Sequence, residues 1–213
     1  MTDQSPTIHG VFPCPVYIIK RNSNLDSTEE KEIEDIIKEG MRRNTGNSQS
    51  RNSYIFTDRL KNIKEFCEQH IKTYVKEVLN PEEELDFYIT QSWLNVVEPG
   101  GSICRHWHSN SIISGTFYPK VEETDTIEFH DPNKMLKERI CMIERIESNH
   151  WNSSSLFFLV EKNNLMLFPS WLEHNVRPNE KATTNRISIT FNVFVKGILG
   201  RGLDAGLNEL ILK

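Results

Sequence analysis

From Leu85 onward the chain is a succession of short β-prone runs: LDFYITQSWLNVVEPGG, SIISGTFYPKV, DTIEFHDP, SSLFFLVEKNN, LMLFPSW and RISITFNVFVK. Pro, Gly, Asn or Asp turn residues separate them. Strands this short bury their apolar side chains by pairing into a closed or two-layered structure, so the pattern predicts a sandwich or barrel. The last run is the most regular. Ile187, Ile189, Phe191 and Val193 alternate with Arg186, Ser188, Thr190 and Asn192, and period-2 alternation puts the two sets on opposite faces of one strand.

The first part of the chain reads differently. FPCPVYIIK contains a β-prone run at Val16–Ile19, and LDSTEEKEIEDIIKEGM reads as a helix. Ser27 is placed to cap it with Glu30 three residues on, and Ile33, Ile36, Ile37 and Met41 fall on one face. The polar stretch NTGNSQSRNS reads as a loop. A second helix is expected from about Asp58 to Leu79. Leu60, Ile63, Cys67, Ile71, Tyr74, Val75 and Val78 form its apolar stripe, and NPEEE stops it. The expected fold class is therefore mainly β with flanking helices (α+β), a barrel buttressed by N-terminal helices. The 213 residues suit a single domain, with the helical buttress about 27–80 and the β-barrel core about 85–196.

Composition narrows the function classes. A net charge of -5 argues against a general nucleic-acid surface, which needs clustered Lys and Arg. No apolar run approaches the roughly 20 residues that span a bilayer. The opening MTDQSPTIHG has neither the basic start nor the apolar stretch of a signal peptide. Cys14, Cys67, Cys104 and Cys141 are scattered without a CxxC pair, which fits reduced thiols and a cytoplasmic location.

The chemistry concentrates in three places. GSICRHWHSN carries His106 and His108 two apart. On a strand, alternate residues share a face, so the pair presents two imidazoles side by side, suited to iron or zinc. LMLFPSWLEHNV breaks at Pro169 and sets His174 just beyond a turn, where a barrel can bring it to the first pair. Arg186 and Ser188 point inward if the apolar face of their strand packs against the helices. A buried arginine needs an anion, and its planar fork beside a hydroxyl makes a carboxylate grip; the bland alternative is a structural salt bridge. Trp93, Trp107, Trp151 and Trp171 read as packing or rim residues, since no basic stripe accompanies them.

HxH, then His174, then Arg186 twelve residues on with Ser188 two beyond, resembles the 2-oxoglutarate and Fe(II)-dependent oxygenases. The order WLN, PGG, HWH, SGTFY, DPN, FPSWLEHNV and RISITFN, over roughly Phe12 to Lys196, is closer still to a bacterial and phage branch of that superfamily. The resemblance implies a double-stranded β-helix, jelly-roll or cupin-like, with helices on one face. It also implies Fe(II) as cofactor, 2-oxoglutarate and O2 as small-molecule partners, and a hydroxylase releasing succinate and CO2 with an unnamed substrate. Carried over residue by residue, His106, His108 and His174 are the metal ligands, Arg186 with Ser188 grips the far carboxylate, and Asn95 and Tyr118 are further cosubstrate contacts. One position departs from the family: the usual second ligand is Asp or Glu, and here it is His108. Either the site uses three histidines, or a carboxylate arrives from elsewhere, with Asp131 ahead of Glu98 and Glu173. Two rival functions stay open, a non-catalytic metal- or carboxylate-binding barrel (a sensor or assembly module) and a cupin-type metal oxygenase that needs no 2-oxoglutarate. The loops about Asn133–Ser155 carry no readable substrate code, and GILGRGLDAGLNELILK is either a return segment or a contact in a homo-oligomer.

Overall fold

A computed structural model describes residues 7–82, 84–134, 143–144, 146–200 and 208–213. In chain order the elements are β1 (Tyr17–Lys20), α1 (Ser27–Lys38), β2 (Met41–Arg43), β3 (Ser48–Ser50), α2 (Lys61–Tyr74), β4 (Asp86–Val97) and β5 (Ile103–His106). There follow β6 (Ile113–Lys120), β7 (Thr126–His130), β8 (Ser155–Leu159), β9 (Asn164–Pro169), β10 (His174–Val176), β11 (Arg186–Leu199) and β12 (Leu210–Leu212). The larger sheet runs β1-β9-β6-β11-β4-β3-β2, with β12 paired to β11, and the smaller runs β5-β10-β7-β8. Two antiparallel sheets with helices at one side are the expected mainly-β fold, a double-stranded β-helix.

Alternation along the central strands separates two cores. Ile113 and Phe117 of β6, Leu165 and Leu167 of β9, and Ile189, Phe191 and Val193 of β11 pack outward against Ile33 and Ile36 of α1 and Ile63, Cys67 and Ile71 of α2. Each fully buried side chain of this kind contributes about 1.5–3 kcal/mol. The intervening residues Tyr118, Met166 and Phe168 turn inward and join Ile127, Phe129, Val160 and Leu172 in a second cluster shared by both sheets. Gly115 of β6 lies against the Phe191 ring: a Cβ there would meet it at 2.1 Å.

Three local expectations are corrected. The α1 cap is Asp26 with Glu29, not Ser27 with Glu30. The Asp26 carboxylate accepts from the Thr28 and Glu29 N–H groups at 2.8 Å each, and Glu29 returns to the Asp26 N–H at 2.9 Å. Arg21 holds the buried Glu29 at 2.8 Å, which fixes the frame. The α-helical part of the second helix starts later than Asp58, because Leu60 takes a left-handed φ of 54° to bury its side chain. Its last turn, Val75–Leu79, widens, closing with Asn80 N–H on the Val75 carbonyl at 2.7 Å. The stretch NTGNSQSRNS is no simple loop: Ser48–Ser50 pairs with β2, and Ser48–Gln49 pairs with Val96–Asn95 of β4. Polar residues form a strand there because β4 offers an open edge, and Ser50 Oγ accepts the Leu94 N–H at 3.0 Å. Cys14, Cys67 and Cys104 are free thiols; Cys141 lies outside the described residues. No helix among the described residues is long and apolar enough to cross a membrane.

Candidate metal centre

Strand pairing in the smaller sheet sets His174 directly opposite His106, with ring centroids 4.4 Å apart. Each ring is oriented by the same local device. Nδ1–H of His106 donates to the Cys104 carbonyl at 2.8 Å, and Nδ1–H of His174 to the Leu172 carbonyl at 2.9 Å. A carbonyl only accepts, so the proton sits on Nδ1 and the Nε2 lone pair is free to ligate.

His108 arrives by another route than expected. β5 ends at His106, and His108 lies in the turn beyond it, anchored by its N–H on the Ser170 carbonyl at 2.9 Å. The shared-strand argument for the pair is therefore corrected, although the rings still meet. The His108 ring lies 5.1 Å from His106 and 5.3 Å from His174, and stacks on Trp93 at 5.7 Å. Its Nε2 is buried without a partner. The ligand atoms of the three histidines lie within 4.8 Å of one another, near the span that one cation ligated at about 2.1 Å bridges. Burial, with repulsion from the neighbouring imidazoles, pushes the pKa of His174 down to about 3 and that of His108 to about 4. Both rings are neutral at pH 7, as metal ligation requires. An orphaned buried nitrogen, two preset tautomers and neutral donors fit a divalent transition metal.

The histidines open into a cavity of about 730 Å³, which Asn95, Ser188, Thr190 and Thr116 also line. The Asn95 amide donates to Thr190 Oγ1 at 3.1 Å. Asn192, Thr190, Ser188 and Arg186 form the inward row of β11, all buried. Arg186 and Tyr118 sit past the cavity wall at the far end of that row. Nη1 of Arg186 donates to the Thr126 carbonyl at 2.7 Å, and the guanidinium lies 5.1 Å over the Tyr118 ring. Arg186 is 5% exposed, its Nε has no partner, and no carboxylate of the described residues pairs with it. The fully buried Tyr118 hydroxyl also lacks a partner; burial raises its pKa against the pull of Arg186.

The carboxylate alternatives lie elsewhere. Asp131 and Glu173 line a separate cleft with Trp107 and Trp171, and Glu173 pairs with Arg105. Glu98 lines another small cleft. Trp93, read from sequence as a packing or rim residue, is a wall of the metal cavity; its period-2 relation to Asn95 was the available signal. The β2–β3 hairpin was also missed, and Arg43, Asn44, Thr45, Asn47 and Gln49 line the cavity mouth.

Residues 91–192 match the family model described as "Putative 2OG-Fe(II) oxygenase". None of the curated proteins matches the sequence. Among solved structures, the chain is similar to SnoK, a non-heme alpha-ketoglutarate-dependent carbocyclase from nogalamycin biosynthesis (TM-score 0.58, 12% identity, 91% of this chain and 88% of that one). It is also similar to a prolyl hydroxylase from Trichoplax adhaerens (TM-score 0.56, 14% identity, 84% and 83%). A third is HygX from Streptomyces hygroscopicus with nickel, 2-oxoglutarate and hygromycin B bound (TM-score 0.52, 8% identity, 84% and 82%). At these identities the structures establish the shared fold. The match over 91–192 covers most of the β core, and the fold is the one that the 2-oxoglutarate and Fe(II)-dependent oxygenases share.

Proposed function

We propose that this chain is an Fe(II)- and 2-oxoglutarate-dependent hydroxylase in which His106, His108 and His174 hold the metal. Arg186, with Ser188, receives the far carboxylate of 2-oxoglutarate, and Asn95 and Tyr118 contribute further polar contacts. The observation that carries this reading is that Arg186 is 5% exposed, has no carboxylate partner among the described residues, and shares a strand face with Ser188 and Thr190, which line the histidine cavity. Burying an unpaired charge is expensive, and a ligand carboxylate removes that cost.

When bound, iron supplies the oxidative chemistry, coupling decarboxylation of 2-oxoglutarate to succinate and CO2 with oxygenation of a substrate. The chain's own part is binding, orientation and exclusion of water. The Cys104 and Leu172 carbonyls fix the ring planes of His106 and His174. Trp93 covers one face of His108. Three neutral imidazoles bring no negative charge to the metal, so a dianionic cosubstrate binds against an uncompensated double charge.

Anaerobic titration of the metal-free protein with Fe(II), then 2-oxoglutarate, tests the reading. The weak visible charge-transfer band of the chelate is expected in the parent, absent in His174→Ala, and displaced to far higher cosubstrate concentration in Arg186→Ala. Metal binding with no such band would leave a metal-binding barrel that does not use 2-oxoglutarate.

A further inference from the structure

We propose that Arg43 is a specificity-determining residue of the metal cavity and that the substrate presents an anionic group, a carboxylate or a phosphate, to it. This deepens the hydroxylase reading and rests on it. Among the described residues that line the cavity, Arg43 is the one side chain with a fixed formal charge, and none is Asp, Glu or Lys. The cavity's own charge balance therefore favours an anion. With three neutral ligands, a divalent metal and a dianionic cosubstrate cancel, so Arg186 and Arg43 leave the loaded site with net positive charge.

Arg43 is also unspent. It makes no hydrogen bond or ion pair among the described residues, whereas Arg42, on the other face of β2, donates to Gln49 Oε1 at 2.7 Å. The Asn44 amide and the Thr45 hydroxyl at the same mouth are likewise without partners among the described residues. All three side chains are solvent-exposed, and it is the backbone carrying them that is held in place. The Ser102 N–H donates to the Gly46 carbonyl at 2.9 Å. Gly46 takes φ +89°, and a Cβ there would lie 2.6 Å from Ser102 Oγ. A Cβ on Gly101 would lie 2.5 Å from the Gly46 carbonyl oxygen. The hairpin tip is thus fastened to the segment that runs into β5 and His106, so Arg43 is positioned relative to the metal ligands. A guanidinium fork of N–H donors on a fixed backbone is a usual receptor for carboxylate and phosphate oxygens.

The test uses the full chain loaded with Zn(II) and N-oxalylglycine, a non-reacting 2-oxoglutarate analogue, so that the metal and Arg186 ends are occupied. Inorganic phosphate, acetate and methylammonium are titrated at constant ionic strength. The Arg43 Nε–H NMR signal, assigned by its absence from R43Q, is followed, and affinities are measured by calorimetry. Phosphate or acetate should move that signal saturably, methylammonium should not, and R43Q should bind the anion at least tenfold more weakly while holding zinc and N-oxalylglycine as the parent does. The anion that saturates first identifies carboxylate or phosphate as the recognised group. An unmoved Arg43 signal, or undiminished anion affinity in R43Q, overturns the proposal. Failure of zinc or N-oxalylglycine to bind the parent sinks the hydroxylase reading instead, before any anion is added; the same titrations on the metal-free chain then still decide Arg43.

Discussion

Strand β11 shows two faces that are equally closed to water and chemically opposite. Ile189, Phe191 and Val193 are fully buried against other apolar side chains, so their burial is itself stabilising. Arg186, Ser188, Thr190 and Asn192 are buried as well, but each carries polar atoms whose desolvation must be offset by partners. Some are matched: Thr190 by Asn95, Asn192 by Ser114 at 3.3 Å. Of the four buried side-chain atoms left without a partner among the described residues, three are His108 Nε2, Tyr118 Oη and Arg186 Nε, all at or beside this inward row. The outer face is finished by the fold alone, and the inner face is left incomplete where a metal and an anion would complete it.

Truncating each face should separate stability from binding. Phe191→Ala removes the ring that lies against Gly115 and Phe56 and should cost about 3–5 kcal/mol in urea denaturation. The variant that remains folded should keep parental affinity for Fe(II) and 2-oxoglutarate. A parallel loss of affinity would mean the two faces are not separable. Arg186→Met should behave the other way round. Metal-free stability should hold or rise, since an unpaired buried charge is replaced by an apolar side chain. Affinity for 2-oxoglutarate should fall roughly 10- to 100-fold, the scale of a charge-assisted hydrogen bond. Equal destabilisation of the metal-free protein would instead make Arg186 structural.

This division of faces was legible because a strand has a fixed period of two, so chemistry at Arg186 and Ser188 could be placed without knowing the fold. His174 was legible for a similar reason: Pro169 ends an apolar strand, and the next strand opens at His174 after a short turn. What could not be read depended on partners distant in sequence. Ser48–Ser50 has no strand propensity of its own and pairs because β4 presents an edge. His108 leaves the strand after His106 because its N–H is claimed by Ser170, 62 residues on. Asp26 displaces Ser27 as cap because a carboxylate is the stronger acceptor and Arg21 secures its partner Glu29. Trp93 looked like packing because nothing in its own strand reveals the ring of His108 beside it.

The comparison sharpens with pH, because the two histidines pushed furthest down by burial, His174 and His108, lie on the inner side. In the folded protein His174 and His108 have pKa values of about 3 and about 4, against 6.5 for an ordinary histidine. Below pH 6.5 the unfolded chain takes up protons that the folded chain refuses. Metal-free stability should therefore be flat above about 6.5 and fall as the pH drops toward 3, by at most about 1.4 kcal/mol per pH unit for each ring. Urea midpoints at pH 7.5, 6 and 5 for the parent and His174→Gln measure this, and other titrating groups cancel in the difference. The variant should show the shallower slope; parallel slopes would mean that burial of His174 does not set its protonation.

The smallest expected effect isolates a single oxygen. Tyr118→Phe deletes the buried hydroxyl and leaves the ring that underlies the Arg186 guanidinium at 5.1 Å. In the metal-free protein that hydroxyl has no partner, so its removal should leave stability unchanged or slightly raised. With cosubstrate bound, the hydroxyl has an acceptor to meet, and its loss should weaken 2-oxoglutarate by the worth of one neutral hydrogen bond. That is about 0.5–1.5 kcal/mol, or roughly 2- to 12-fold. Opposite signs for the same atom, read by denaturation without ligand and by titration with it, would mark Tyr118 as part of the cosubstrate grip. A loss of stability without any change in 2-oxoglutarate affinity would instead return it to the apolar core it shares with Phe129 and Phe168.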